Sequence, residues 1–499
     1  MSLWAVEQPG AWVALDVVEL PLRRPLPEVF AACSGDSFGV LLDSAAAPGE
    51  WSVIALGPAA VLSAWSSPGT AALGAGLLEL REWSDDRFGS AERVRRFEGA
   101  PFVELSRQLD AWRLPDALRA HAPGPFAAGA IGVAGYDAGR FLERWTTQAE
   151  RDLDLPELCF LFVDAVFVHE RATGCLRLST TGRGADEATA RGACARLREL
   201  FRARFERAQA AAVEQAACRV GEVQAHADEA QYCDTVRAAQ ERIFAGDIFE
   251  VNTSHRLQAS FEGEPSQLYA ALRALSPAAF ACHVMTPWAS LLSSSPERFL
   301  SLSRDGWAES RPIKGTRPRG ATPEQDARLR AELASSEKDR AENVMIVDLV
   351  RNDFGRVCEV DSITVPELMQ VEQHPRVFHM VSTVRGRLAA EHSAVELFAA
   401  CFPPGSMTGA PKIEALHIID ALEPYRRGWY SGAVGYFDAG GGMDFSVVIR
   451  SFVLRGGQAY FSVGGAVVAD SDPVAEYRET LDKARALLEA LAQLRATGP

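Results

Sequence analysis

Apolar and polar positions alternate along much of the first 180 residues. Phe38-Gly-Val-Leu-Leu42 and Trp51-Ser-Val-Ile-Ala-Leu56 flank an Ala-Ala-Pro-Gly turn, so residues 11–65 are predicted to form hairpins. A second strand-rich block, 127–179, holds Ala-Ile-Gly-Val-Ala-Gly-Tyr136 and Leu-Cys-Phe-Leu-Phe-Val163. From 184 to 224 the composition shifts to Ala, Arg and Glu, which favours helix and breaks the strand pattern. This segment is predicted to connect two larger regions, 11–170 and 228–491. The second opens on Asp228-Glu-Ala-Gln231, a variant of the capping box, with a helical pattern to Phe244 closed by Ala245-Gly246. Strands are then predicted at 248–257, 290–303, 309–317, 376–388, 431–438, 444–455 and 459–468. Helices are predicted at 323–333, 337–351, 411–422 and 474–493. The mixture lacks the regular alternation of βαβ units, so the class is α+β rather than a doubly wound parallel sheet.

With 499 residues the chain exceeds the usual size of one hydrophobic core. Lys+Arg 51 against Asp+Glu 66 gives a net charge of −15, which repels nucleic acid and anionic membranes and requires any anionic ligand to be met by local cations or a metal. The nine cysteines are odd in number, scattered and without a Cys-x-x-Cys pair, which speaks against a disulfide framework or zinc site and for a reducing, cytoplasmic setting. No basic leader opens the chain, and the densest apolar run, 158–168, is too short to cross a bilayer and contains Asp164; no signal peptide or membrane span is expected. No Gly-rich phosphate loop stands between a strand and a helix, so nucleotide binding has no support.

Two predicted helices carry acids three residues apart, Asp339-Arg-Ala-Glu342 and Glu476-Tyr-Arg-Glu479, which puts each pair on one helix face. Each helix alone reads as a solvated face, with Glu479 and Lys483 at ion-pair spacing; together the two read as a hard-cation site with open positions for a substrate. Arg311-Pro-Ile-Lys314-Gly-Thr-Arg317-Pro-Arg319 packs four cations into nine residues. Strand alternation sets Lys314 and Thr316 on one face, Ile313 and Gly315 on the other. Repulsion from Arg311 and Arg317, with partial burial, is expected to lower the Lys314 pKa towards a neutral, nucleophilic amine. The alternative is a basic edge strand that resists aggregation. Glu297, next to Pro296, is a general acid or base if burial raises its pKa, and otherwise a partner of Arg298. Gly405-Ser-Met-Thr-Gly-Ala-Pro-Lys412 reads equally as an anion-holding helix start and as an ordinary loop. His379, within an apolar strand, reads as a hydrogen-bonded core residue.

Taken in order, Gly-Asp-Ile-Phe-Glu-Val-Asn252, Ser-Pro-Glu-Arg-Phe299, Arg-Pro-Ile-Lys-Gly-Thr-Arg317, Asp-Arg-Ala-Glu-Asn-Val-Met-Ile-Val-Asp-Leu349, Arg-Asn-Asp353, Pro-Gly-Ser-Met-Thr-Gly-Ala-Pro-Lys412, Tyr-Ser-Gly-Ala-Val-Gly-Tyr436 and Val-Ile-Arg450 resemble the chorismate-utilising enzymes. The resemblance covers about 228–491, and 11–170 looks like the family's variable N-terminal domain. It implies two orthogonally packed, mainly antiparallel sheets flanked by helices. It also implies Mg²⁺ held by Glu342 and Glu479, with Asp339 and Glu476 acting directly or through water, the ion holding the ring carboxylate of chorismate. Gly315, Thr316, Tyr430, Arg450, Gly464, Gly465 and Lys483 match substrate-contact positions, Glu297 the general acid for loss of the C4 hydroxyl, and His379 a histidine close to the ring.

Within the family, Pro-Ile-Lys-Gly-Thr is similar to the aminodeoxychorismate synthase branch; anthranilate synthases carry Ala at Lys314. That branch implies attack of the lysine amine on C2 with loss of the C4 hydroxyl, then addition of ammonia at C4, in 4-aminobenzoate and folate supply. Glu250 departs from the Lys of water-adding members and the Gln of many amine-transferring ones, and Gly464-Gly-Ala466 departs from Gly-Ala-Gly. Leu41-Leu-Asp43-Ser44 resembles the Leu-Leu-Glu-Ser segment of feedback-inhibited anthranilate synthases, which makes Leu42, Asp43 and Ser44 a candidate tryptophan site and anthranilate synthase the alternative. No segment resembles a glutaminase, so the expected ammonia source is a separate glutamine amidotransferase subunit.

Overall fold

Period-two apolar runs become antiparallel ladders, and where a strand is apolar on both faces it lies between two layers. A computed structural model describes residues 2–497 apart from 9–10, 34, 36, 47–49, 67–73, 85–86, 90, 92, 145–147, 212–216 and 375–376. Parts of the expected 46–49 turn and 184–224 connector, and the first residue of the expected 376–388 strand, lie outside these. Among the described residues there are two sheets, of 14 and 12 strands, and every pairing of named strands is antiparallel. Both sheets draw on both regions of the chain. In the larger, Gly39–Asp43 pairs with Phe280–Met285; in the smaller, Gly129–Ala134 pairs with Ala433–Asp438.

The layers run helix, sheet, sheet, helix. Val40, Val53, Val166 and Cys282 of the larger sheet meet Val61, Ile131, Val133 and Leu161 of the smaller in a core between the two. On the smaller sheet's outer face Leu300, Phe437 and Phe445 pack with Ile346, Val350 and Phe354 of helix Glu337–Gly355. On the larger sheet's outer face Leu292, Phe452 and Phe461 pack with Leu268 and Leu272 of helix Pro265–Leu275 and Leu487 and Leu491 of helix Pro473–Thr497. Each such Leu or Phe contributes about 1.5–3 kcal/mol by leaving water. The expected α+β fold is the one that forms. The connecting segment holds the helix Glu187–Ala210, capped by Asp186, and the second region opens with the Asp228/Gln231 capping box on helix Glu229–Phe244. No described helix is long and apolar enough to cross a membrane, and no disulfide forms among the described residues.

Three expected strands are each broken. Residues 309–317 give Trp307–Ser310 and Ile313–Pro318. The 290–303 run gives Ser290–Ser295 in the larger sheet and Arg298–Leu302 in the smaller, with Pro296 and Glu297 at the crossing. The 444–455 run crosses back, from Met443–Val447 to Ser451–Arg455, with Arg450 at φ +51° between them. The two crossings are hydrogen-bonded to each other: the Ser294 amide donates to the Arg450 carbonyl and the Val447 amide to that of Glu297, both at 3.1 Å. Pro296 and Pro312 mark two of these breaks locally, since a proline cannot donate to a ladder; at 448–450 the apolar run continues and tertiary packing decides.

Candidate active site

Strands Glu250–Glu262, Ile313–Pro318 and Gln458–Val467 and helices Glu337–Gly355 and Pro473–Thr497 carry most of the expected residues. The Ser336 hydroxyl accepts from the Asp339 amide and caps the first helix, so Asp339 and Glu342 fall in its opening turns. Between Ile313 and Thr316 the strand bulges, with Gly315 at φ +84°, and the strict alternation expected there does not hold. A Cβ at Gly315 would also stand 2.9 Å from the Asp339 carboxyl and 2.8 Å from Leu333.

Lys314 is 7% exposed. Its Nζ donates to Glu250 Oε1 at 2.6 Å and lies 3.7 Å from Glu342 Oε2. Burial pulls its pKa down, but Glu250, Glu342 and Glu297 prevail and raise it above the ordinary lysine value. The expectation of a neutral amine is therefore corrected, and the reason is where the cations face. Arg311 is ion-paired with Glu372 and with Glu367 at 3.6 Å, and Arg317 with Glu332 at 2.9 Å and Asp339 at 3.1 Å. Their charges are offset by these acids, while Lys314 faces carboxylates. The resting state is a buried ammonium.

Glu342 is 8% exposed and Glu476 3%. Burial pushes Glu342 up to about 7, opposed by Lys314 and reinforced by Glu250. Lys338 bridges the two helices: its Nζ donates to Glu476 Oε1 at 3.0 Å and lies 3.9 Å from Glu342 Oε1. Ser471 also donates to Glu476 Oε1, at 2.7 Å. Glu479 faces outward against Lys483 at 2.8 Å; burial is outweighed by Lys483, then Lys338 and Lys314, and its pKa falls. Lys483 also donates to the Gly464 carbonyl at 2.9 Å. A Cβ at Gly465 would stand 3.1 Å from Glu476 Oε2, so this glycine keeps the acid's face open.

Three buried carboxylate oxygens here have no hydrogen-bond partner: Glu250 Oε2, Glu342 Oε1 and Glu476 Oε2. An all-oxygen donor set with bare lone pairs suits a hard cation. Among the described residues no three acids converge on one point as the side chains stand; Lys338 occupies the gap between Glu342 and Glu476. The residues fit a hard cation in kind, with an ammonium standing where its charge would be.

At the paired sheet crossings, Glu297 is 6% exposed and burial raises it to about 7, against a hydrogen bond from Ser406 and the charges of Lys314 and Arg450. It is not the partner of Arg298, which forks onto Asp444 at 3.0 Å through Nε and Nη2. Arg450 is half-buried, its pKa lowered by burial and restored in part by Glu297, and no hydrogen bond or ion pair holds its guanidinium among the described residues. An unheld cation beside a protonated carboxyl fits an incoming carboxylate. His379 shares a 2.9 Å hydrogen bond with the Thr316 hydroxyl; burial, Arg450 and His374 push it down to about 3, which makes it a neutral imidazole. Tyr430 is buried, its phenol raised to about 12, near Arg427.

The 405–412 loop reaches the site through Ser406, which hydrogen-bonds Glu297. Gly409–Ala410 pairs with Glu250 and Val251, and Lys412 is bound by Asp353 at 2.7 Å. Leu42, Asp43 and Ser44 sit at the end of strand Gly39–Asp43. Asp43 accepts from Tyr269 at 3.0 Å and Arg273 at 2.5 Å, and the Ser44 hydroxyl donates to the Trp51 carbonyl. Sequence reasoning missed Lys338, although its position four residues before Glu342 was a visible signal, and it assigned no role to Glu250.

The arrangement of acid-bearing helices, buried lysine and paired sheet crossings defines a class. The chain belongs to the chorismate binding enzyme family, whose model matches residues 75–489. It is 42% identical over 411 residues to the aminodeoxychorismate synthase of Streptomyces pristinaespiralis, covering 82% of this chain and 56% of that one. It is 39% identical over 400 residues to aminodeoxychorismate synthase component 1 of Klebsiella aerogenes, covering 80% and 85%. It is 40% identical over 399 residues to anthranilate synthase component 1 of Streptomyces coelicolor, covering 76% and 78%. The chain spans about half the length of the first of these relatives. Anthranilate synthase component I from Streptococcus pneumoniae shares the fold, with a TM-score of 0.73 and 28% identity over 88% of this chain and 92% of that one.

Proposed function

We propose that the chain is the chorismate-aminating component of an aminodeoxychorismate synthase, acting in the cytoplasm with Mg²⁺ and with ammonia from a glutamine amidotransferase subunit, in 4-aminobenzoate and folate supply. The observation that carries this reading is Lys314 itself, a buried primary amine between Glu250 and Glu342. When bound, Mg²⁺ would be held by Glu342 and Glu479, with Asp339 and Glu476 acting directly or through water, and would supply the positive charge that fixes the ring carboxylate. Arg450 and Lys483 bind carboxylate oxygens of the dianion.

Lys314 has to lose a proton before it can act as a nucleophile, and Glu250 Oε1, 2.6 Å away, accepts it. The amine nitrogen then bonds to C2, both ring double bonds shift by one position towards C4, and the C4–O bond breaks; Glu297, whose pKa burial raises to about 7, gives its proton to the departing hydroxyl, which leaves as water. Ammonia adds at C4, the two double bonds shift back and the Lys314–C2 bond breaks; the new ammonium gives a proton to Glu297 and Lys314 recovers its own from Glu250, which returns the enzyme and gives 4-amino-4-deoxychorismate. Neutral His379 and Thr316 line the ring side of the site through their shared hydrogen bond.

Similarity to anthranilate synthases and the Leu41–Ser44 segment favour the second reading, anthranilate synthase. Incubation with chorismate, ammonia and Mg²⁺, with and without an aminodeoxychorismate lyase, separates the two. The first reading expects 4-amino-4-deoxychorismate, and 4-aminobenzoate only when lyase is added. Anthranilate and pyruvate without lyase would replace it by the second.

A further inference from the structure

The carboxylates of Glu342 and Glu476 come from different helices, are buried, and each leaves one oxygen without a hydrogen-bond partner. Two such groups, with Glu250 close behind Lys314, repel one another unless a cation stands between them. Lys314 compensates Glu250 and one side of Glu342. The remaining charge is met by Lys338, from the first turn of helix Glu337–Gly355, which spans the gap to Glu476. Its side chain is 50% exposed, so the ammonium reaches the two buried acids from a half-solvated, flexible stem. Glu476 Oε1 already accepts from Lys338 and Ser471, and Glu342 Oε1 faces Lys338 with no hydrogen bond of its own. A hard cation bound by Glu342, with Glu476 as a ligand or holding one of its waters, would need the lone pairs that Lys338 now faces. Ammonium and metal therefore compete for the same oxygens, and the half-exposed group is the one free to move.

We infer that Lys338 is a resident counter-cation that holds the two acid helices together in the metal-free protein and is displaced when a divalent cation binds. This rests on the Mg²⁺ reading above and deepens it: metal affinity is set by the acids and also by the lysine that must be driven off. No covalent step is involved, and the exchange is of one cation for another on the same carboxylates.

Calorimetric titration of the full chain with MgCl₂ alone, without chorismate, tests this, together with melting in EDTA and in saturating Mg²⁺. Lys338→Met should bind Mg²⁺ at least tenfold more tightly than wild type, melt lower in EDTA, and gain more in Tm on adding Mg²⁺. Lys338→Arg, which keeps the charge, should bind no more tightly than wild type. Lys338→Gln serves if the methionine variant does not fold without metal, with the same tightening expected. Equal or weaker Mg²⁺ binding by the neutral variants, with wild type binding normally, overturns the role of Lys338 and leaves the metal reading standing. Absence of heat and of a Tm shift in wild type and variants alike overturns the metal reading and this inference with it.

Discussion

The two acid-bearing helices look like copies of one device in sequence, two carboxylates three residues apart with a lysine one turn from one of them, yet the fold treats them oppositely. On Glu337–Gly355 it buries the second acid, Glu342, whose pKa rises to about 7; on Pro473–Thr497 it buries the first, Glu476, and leaves Glu479 outside with its pKa lowered beside Lys483. The buried member of each pair is the one that Lys338 reaches, and so Lys338 joins the two helices. Spacing fixes which residues share a helix face. Whether a carboxylate is a strained internal charge or a solvated one depends on what the neighbouring strands bring up to it, here Lys314 and Glu250.

The largest effect expected from breaking this arrangement is at Lys314. Lys314→Ala should lower formation of the 4-amino product by at least about 1,000-fold and abolish any enzyme adduct seen by intact-mass measurement. It also strips a buried pair of one member, at a cost of about 3–5 kcal/mol. Lys314→Arg separates the two consequences: it keeps a cation against Glu250 and should keep most of the melting temperature while losing the product. An Arg variant with near-wild-type turnover would remove the covalent role and leave only an electrostatic one.

Next in size is Glu297. Glu297→Gln should slow turnover by about 100-fold or more, since a positioned acid is worth 10²–10⁴. Burial raises this carboxyl from 4.5 to about 7. Between those values the folded protein holds a proton that the unfolded chain has released, so its contribution to stability is complete below about 4.5 and is lost as pH rises through 7. Wild-type rate should fall on the alkaline side of 7 as the acid ionises. The Gln variant should show neither that limb of the rate profile nor that part of the stability slope. An unchanged alkaline limb in the variant would assign it to another group.

Much of this was legible in the amino-acid order, and the failures have physical causes. The helices at 229 and 337 were visible because caps and period carry them locally; the Asp228/Gln231 box and Ser336 act within three residues. The crossing at Arg450 was invisible, because the apolar run Val447-Val-Ile449 leads straight into it, whereas Pro296 marked the one at Glu297 without telling that the chain passes there to a second sheet. Those crossings place the buried acid and the half-buried cation side by side. The charge state of Lys314 was misjudged for a related reason: Arg311 and Arg317 are its neighbours in sequence, but Glu250, 64 residues away, is its neighbour in space.

The smallest effect is the sharpest test of the difference between the helices. Glu342→Gln and Glu479→Gln remove the same charge from matching positions, and both should impair Mg²⁺-dependent turnover. Their stabilities in EDTA at pH 8 should part. Glu342 is ionised there against the opposition of burial, with an oxygen unpartnered, so the amide should stabilise the metal-free protein by on the order of 1 kcal/mol, a rise of about one to three degrees in Tm. Glu479 is solvated and loses only an exposed pair with Lys483, worth about 0.3–0.5 kcal/mol at low salt, so its variant should melt slightly lower and the difference should vanish in high salt. If the two variants shift together, the contrast between the helices is one of packing and not of buried charge.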